Sequence, residues 1–261
     1  MNFYSSFFIL NSFIPNYIGY MKTVMKNNIK AVLFDVDDTL FDRKLAQKKV
    51  CILIAKQLPH IFDAFEPERI LEAFLKSDQI STDIFNSGAP SEGLRDKRNR
   101  LFLQLLGIHE NYVPAVTGLY VQDYPLVNAP VDGAIAVVKK LSVKYKVGVV
   151  SNGFPDVQYR KLETMGLRDL FSCVVLSEEF GIRKPDSKIF HRAVSLLHLL
   201  PTECLYVGDS FAHDIIGAKN VGMQVCWLNP YSVKPNETIK ADFIIDKLAE
   251  LPGLLRKYEI T

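Results

Sequence analysis

The chain has 261 residues, of which 48% are hydrophobic and 23% charged, with a formal net charge of +2. That length suits one or two domains, and the composition is that of a chain with a packed core. The near-neutral balance, without a basic run interleaved with aromatics, gives no electrostatic footprint for a nucleic-acid partner.

The opening stretch MNFYSSFFILNSFIPNYIGY is uncharged and rich in aromatics. It lacks the basic region and small-residue cleavage site of a secretory signal. Asn11, Pro15 and Asn16 interrupt any membrane-spanning run, so no stable membrane span is expected. Met21 and Met25 lie just before the first apolar strand, and residues 1–27 read as an extension, disordered or upstream of the true start. Cys51, Cys173, Cys204 and Cys226 are far apart and form no CxxC pair. They fit buried free thiols in a reducing, cytoplasmic setting, and no zinc site is expected.

From Asn28 onward short apolar, β-branched runs recur at 31–36, 146–150, 173–176, 204–207, 224–228 and 243–245. Helical patterns such as DGAIAVVKKLSVKY, DVQYRKLETMG, DSKIFHRAVSLLHLL and FAHDIIGAKNVG separate most of them. Strand alternating with helix predicts a parallel sheet covered on both faces. Gly166 and Gly222 stand where helix ends call for a left-handed residue. Between about Leu45 and Gly118 the alternation stops. LAQKKVCILIAKQL, PERILEAFLK, EGLRDKRNRLFLQLLG and NYVPAVTGLYVQ all read as helices. The expected fold is therefore α/β, a Rossmann-like parallel sheet flanked by helices, with an all-helical cap domain at 45–118 inserted into a core of 28–44 and 119–261. Such an insertion follows the first strand, at the sheet edge where open α/β folds bind ligands.

At that edge AVLFDVDDTLFD places Asp35, Asp37 and Asp38 directly after an apolar strand. Asp35 and Asp37 face the same way in an extended chain and could share a ligand. Mg²⁺ takes hard oxygen donors of this kind, and a carboxylate beside it can attack phosphorus. A solvated turn rich in Asp and Thr fits the same letters.

Three further patches weigh against the plain turn. VGVVSNG ends a strand in Ser151, Asn152 and Gly153, whose hydroxyl and amides suit phosphate oxygens. GIRKPDSKIF holds Lys184 extended before Pro185, with Asp186 or Ser187 able to cap the next helix. LYVGDSFAHDIIGAKNVGM ends a strand in Asp209, with Asp214 five residues on.

With these four motifs in this order, each at a strand end or helix entry, the chain resembles the haloacid dehalogenase superfamily over about residues 28–261, with a first-type cap. The resemblance implies a phosphatase that hydrolyses a small phosphorylated metabolite (a sugar, triose or nucleotide phosphate) through an aspartyl-phosphate. It implies Asp35 as nucleophile and Asp37 as general acid and base. Ser151, Asn152 and Lys184 would bind the phosphate. Mg²⁺ would be held by Asp35, the Asp37 carbonyl and Asp209, with Asp214 an outer acid of the site. A sugar phosphomutase shares all four motifs. A 2-haloacid dehalogenase lacks an acid two residues after its nucleophile, so Asp37 argues against it. The oligomer implied is a monomer or homodimer. In the insertion, Leu94, Arg98, Leu101 and Leu105 fall on one helix face, where Arg98 could pair locally or meet substrate.

Overall fold

The computed structural model describes residues 29–235 and 239–260, so the expectation for residues 1–27 lies outside the described residues. The six apolar runs become β1 (Ala31–Phe34), β2 (Lys146–Ser151), β3 (Phe171–Leu176), β4 (Cys204–Gly208), β5 (Gln224–Leu228) and β6 (Phe243–Ile245). They form one sheet in the order β3-β2-β1-β4-β5-β6. Every neighbouring pair is parallel. β1 and β4 are buried along their whole length, as strands covered on both faces must be.

The order reverses at β1. The chain runs outward through β2 and β3, returns to β4 beside β1, and continues to β6 on the other side. Such a switch point is where the carboxyl ends of an open parallel sheet leave a crevice for a ligand. One core layer joins Ala31, Leu33, Val150, Tyr206 and Val225 of the sheet to Ile189, Phe190, Val194 and Leu197. The latter line one face of the helix Ser187–Leu197. Asp186 caps that helix, its carboxylate accepting from the Lys188 N–H at 2.8 Å. Gly166 and Gly222 adopt the left-handed backbone expected of them, with φ of 65° and 87°.

The chain divides into two compact units. One holds the sheet; the other comprises Phe41–Pro130 with Pro155–Gly166. The helical unit thus covers more than 45–118. Asp42 caps its first helix, Arg43–Gln57, by accepting from the Leu45 N–H. The helix Pro155–Thr164 joins the same unit, with the Lys161 ammonium 4.6 and 4.7 Å from the ring centroids of Phe41 and Tyr124. The remaining long helices of the unit are Pro67–Asn86, Leu94–Leu106 and Val113–Asp123. Among the described residues no helix is long and apolar enough to cross a membrane. The four cysteines are free and buried, and burial pushes their thiols up, Cys173 to about 11 and the other three to about 12.

Within the helical unit Arg98 pairs locally. Its Nε and Nη2 donate to Asn99 Oδ1 at 3.1 and 2.8 Å, and its Nη1 lies 3.5 Å from Asp78 Oδ1. The guanidinium carbon stands 3.5 Å from the Tyr120 ring centroid. Asp78 also accepts from Arg43 at 2.6 Å and from Gln47 at 3.0 Å. Arg98→Ala is therefore expected to cost about 2–3 kcal/mol in urea unfolding, less than breaking an isolated buried pair because Arg43 still serves Asp78. A loss under about 0.5 kcal/mol would match an exposed side chain and contradict this buried network.

Candidate active site

The four motifs meet at the carboxyl edge of β1, β2 and β4. The register sets Phe34 beside Val149 on β2 and beside Val207 on β4. Asp35, the next residue, donates its N–H to the Val207 carbonyl at 3.0 Å. The strands therefore deliver Asp35, Ser151 and Asp209 to one edge. Asp37 is half-buried two residues further on, and its charge acts on Asp35. Asp38 takes a left-handed backbone with φ of 56°, a conformation Asp tolerates, and its charge acts on Asp209. Thr39 Oγ1 reaches Asp209 Oδ1 at a long 3.4 Å.

Lys184 is the hub. Its Nζ donates to Asp35 Oδ1 and to Asp214 Oδ1, both at 2.6 Å, and to the Tyr206 hydroxyl at 3.0 Å. All of these groups are buried. Its backbone is held as well. Asn152 Oδ1 accepts from the Lys184 N–H at 2.8 Å, while Asn152 Nδ2 donates to the Lys184 carbonyl at 3.1 Å. The side chain of Asn152 is thus a clamp on Lys184. The following turn is braced by Ser177, whose hydroxyl accepts from the Gly153 N–H at 3.1 Å.

Asp214 sits on the wide π-type turn Phe211–Ile215 and is fully buried. Its Oδ2 accepts from the Ser210 N–H at 3.0 Å, so both of its oxygens already have donors. Trp227 Nε1 donates to the Asp209 carbonyl at 2.8 Å and holds the backbone of that acid. His213 is half-buried, its Nδ1 3.1 Å from Ser210 Oγ.

Burial and crowding disfavour the charged forms of two acids at this site. Burial pushes Asp35 up to about 7, against the pull of Lys184 and with help from the charges of Asp214 and Asp37. Burial and the charges of Asp214, Asp35 and Asp38 push Asp209 up to about 9. The two neighbouring carboxylates raise the Lys184 ammonium although burial opposes them. Asp35, Asp209 and Asp214 each bring an oxygen within 4.8 Å of the others. This is a hard, all-oxygen donor set of crowded carboxylates, which suits a small divalent cation. With Asp214 engaged by Lys184 and Ser210, Asp35 and Asp209 have the oxygens to offer it.

At this edge one buried side-chain atom has no partner among the described residues. The Ser151 hydroxyl, 1% exposed at the end of β2, meets no hydrogen-bonding group among the described residues. A buried hydroxyl without a partner is costly unless a ligand supplies one.

The sequence-predicted residues Asp35, Ser151, Lys184, Asp209 and Asp214 lie together at this edge, with Asn152 bound to the backbone of Lys184. Tyr206 and Trp227 were not singled out from sequence. The available signal was a tyrosine in the middle of the strand LYVG, since a buried phenol must find a partner for its hydroxyl.

A parallel sheet whose switch point gathers an aspartate, a lysine and two further acids is a Rossmann-like fold with a site suited to an anion and a cation together. The chain belongs to the haloacid dehalogenase-like hydrolases, whose family model matches residues 29–222. It is 31% identical over 238 residues to glyceraldehyde 3-phosphate phosphatase of Pyrococcus furiosus, covering 88% of this chain and 94% of that one. It is 37% identical over 130 residues to pyrimidine 5'-nucleotidase YjjG of Escherichia coli, covering 49% of this chain and 58% of that one. The magnesium-bound structure of the HAD-hydrolase YfnB from Bacillus subtilis superposes with a TM-score of 0.75 at 25% identity, over 87% of this chain and 99% of that chain.

Proposed function

We propose that the protein is a Mg²⁺-dependent phosphatase that hydrolyses a small phosphomonoester through an aspartyl-phosphate on Asp35. The observation that carries this reading is the partnerless buried hydroxyl of Ser151 at the same sheet edge as a carboxylate held by a buried ammonium. A phosphoryl group supplies the oxygens such a hydroxyl lacks and the negative charge such an ammonium neutralises. The relative from Pyrococcus furiosus, aligned over most of the chain, favours a triose or other small sugar phosphate as substrate. YjjG keeps a nucleotide monophosphate in the candidate set over a shorter alignment.

In this mechanism an Asp35 carboxylate oxygen attacks phosphorus and the bond from phosphorus to the leaving oxygen breaks. Asp37 gives its proton to that oxygen as it departs. Water then attacks the phosphorus of the acyl phosphate and Asp37 takes up its proton, restoring Asp35 and releasing inorganic phosphate. Ser151 donates to a phosphoryl oxygen, and Lys184 holds Asp35 on line while offsetting charge. Mg²⁺, held by the Asp35 carboxylate, the Asp37 carbonyl and Asp209 with Asp214 outside them, would add positive charge at the phosphoryl oxygens.

Phosphate release from a panel of triose, sugar and nucleoside monophosphates, with Mg²⁺ and with EDTA, tests the proposal. Turnover is expected only with Mg²⁺ or a similar hard cation, falling by at least about 10³-fold in EDTA. Undiminished turnover in EDTA would remove the metal from the mechanism. Halide release from a 2-haloacid would replace the reaction altogether.

A further inference from the structure

Lys184 has three N–H donors, and each has an acceptor. Two are the carboxylates of Asp35 and Asp214 at 2.6 Å; the third is the Tyr206 hydroxyl at 3.0 Å. The phenol is itself immobilised. Its hydroxyl donates to the Val150 carbonyl at 2.7 Å, with Asp214 Oδ1 a longer second acceptor at 3.2 Å, and its fully buried ring meets the Phe190 ring edge-on at 5.2 Å between centroids. Tyr206 belongs to β4 and pairs with Leu33 of β1, whereas Val150 lies on β2 beyond β1. The hydroxyl therefore fastens the ammonium to a frame spanning three strands.

The third contact changes what the lysine does. Two acceptors define only a line, about which an ammonium on a flexible four-carbon stem still swings. A third acceptor off that line fixes its position. We infer that Tyr206 is a positioning residue for phosphoryl transfer, its hydroxyl fixing the Lys184 ammonium and, through it, the aim of the Asp35 carboxylate at phosphorus. The inference rests on the reaction proposed above. A purely structural role would be met by the bond to Val150 alone, and packing around Phe190 would account for the ring.

Tyr206→Phe removes one oxygen and keeps the ring, so the fold is expected to survive. Inhibition by orthovanadate, which adopts the five-coordinate geometry of the transition state, is compared with inhibition by inorganic phosphate. Loss of aim affects the transition state more than the ground state, so vanadate should weaken about tenfold and phosphate by less than about twofold. The kcat should fall about tenfold with KM within about twofold. Phe190→Leu loosens the same packing without touching the hydroxyl. It should lower Tm while leaving the ratio of the two inhibition constants at the parent value.

An active parent whose Tyr206→Phe variant keeps the parent kcat and the parent ratio overturns the inference alone. Equal shifts of the ratio in Tyr206→Phe and Phe190→Leu overturn it too, because packing then explains both. A parent that hydrolyses no phosphomonoester and binds vanadate no better than phosphate removes the proposed reaction, and the inference with it.

Discussion

Asp35→Asn is expected to abolish the phosphoenzyme and to lower turnover by at least about 10⁴-fold, because a neutral amide is no nucleophile toward phosphorus. The variant should stay folded, since the amide oxygen can still accept from Lys184, as Oδ1 of the acid does at 2.6 Å. Asp37→Asn behaves differently. It keeps the nucleophile and loses the proton carrier, so turnover should fall by about 10²–10³-fold, with the larger loss for alkyl than for aryl leaving groups. Its phosphoenzyme, trapped by acid quench with labelled substrate, should accumulate rather than vanish. A phosphoenzyme on Asp35→Asn would move the nucleophile to another residue. Parent rates for alkyl phosphates on Asp37→Asn would take the acid and base role away from Asp37.

Local sequence reasoning reached the strands because each is a short apolar run of three to six residues, most of them set between helical patterns, and too short for a helix of its own. β1 is AVLF and β4 is CLYVG, each buried end to end. The site acids were legible for the same reason, since Asp35 and Asp209 stand where those runs stop and the backbone leaves the core. The order of the strands was not legible. No periodicity says that β4 rather than β3 lies against β1, yet that pairing brings Asp209 to Asp35.

Side-chain geometry lay further out of reach. Asn152 reads as part of a phosphate-binding turn, and only the fold shows its amide spanning both backbone polar groups of Lys184. Tyr206 hides inside an apolar run because its ring packs as one more hydrophobe while only the hydroxyl reaches the site. In the helix Leu94–Leu106 the buried face holds Leu94, Arg98, Asn99, Phe102, Leu103 and Leu106. That face is rotated from the Leu94–Leu101–Leu105 stripe. A leucine count could not weigh Asn99, whose amide donates to Thr117 at 2.9 Å and whose carbonyl serves Arg98.

Gly208 carries the second large expectation. It ends β4 immediately before Asp209, and its backbone presses against the side chain of Asp214. A Cβ at this position would stand 2.5 Å from Asp214 Cγ and closer still to Oδ2, well inside van der Waals contact. Asp214 has no cheap escape. It is fully buried and bound by Lys184 on one oxygen and the Ser210 N–H on the other. Gly208→Ala must therefore either displace β4 or push Asp214 away from Lys184. Overpacking of this kind costs about 2–3 kcal/mol, and a displaced Lys184 should lower kcat by at least about 10²-fold. A double-mutant cycle isolates the cause. Asp214→Gly removes all the atoms that collide, Cβ included, so adding Gly208→Ala to it should cost less than about 0.5 kcal/mol in urea unfolding. Activity should stay low in the double variant, because Lys184 has still lost an acceptor. Additive costs in the two backgrounds would mean that Gly208 and Asp214 do not touch, and the packing that presents Lys184 to Asp35 would have to be redrawn.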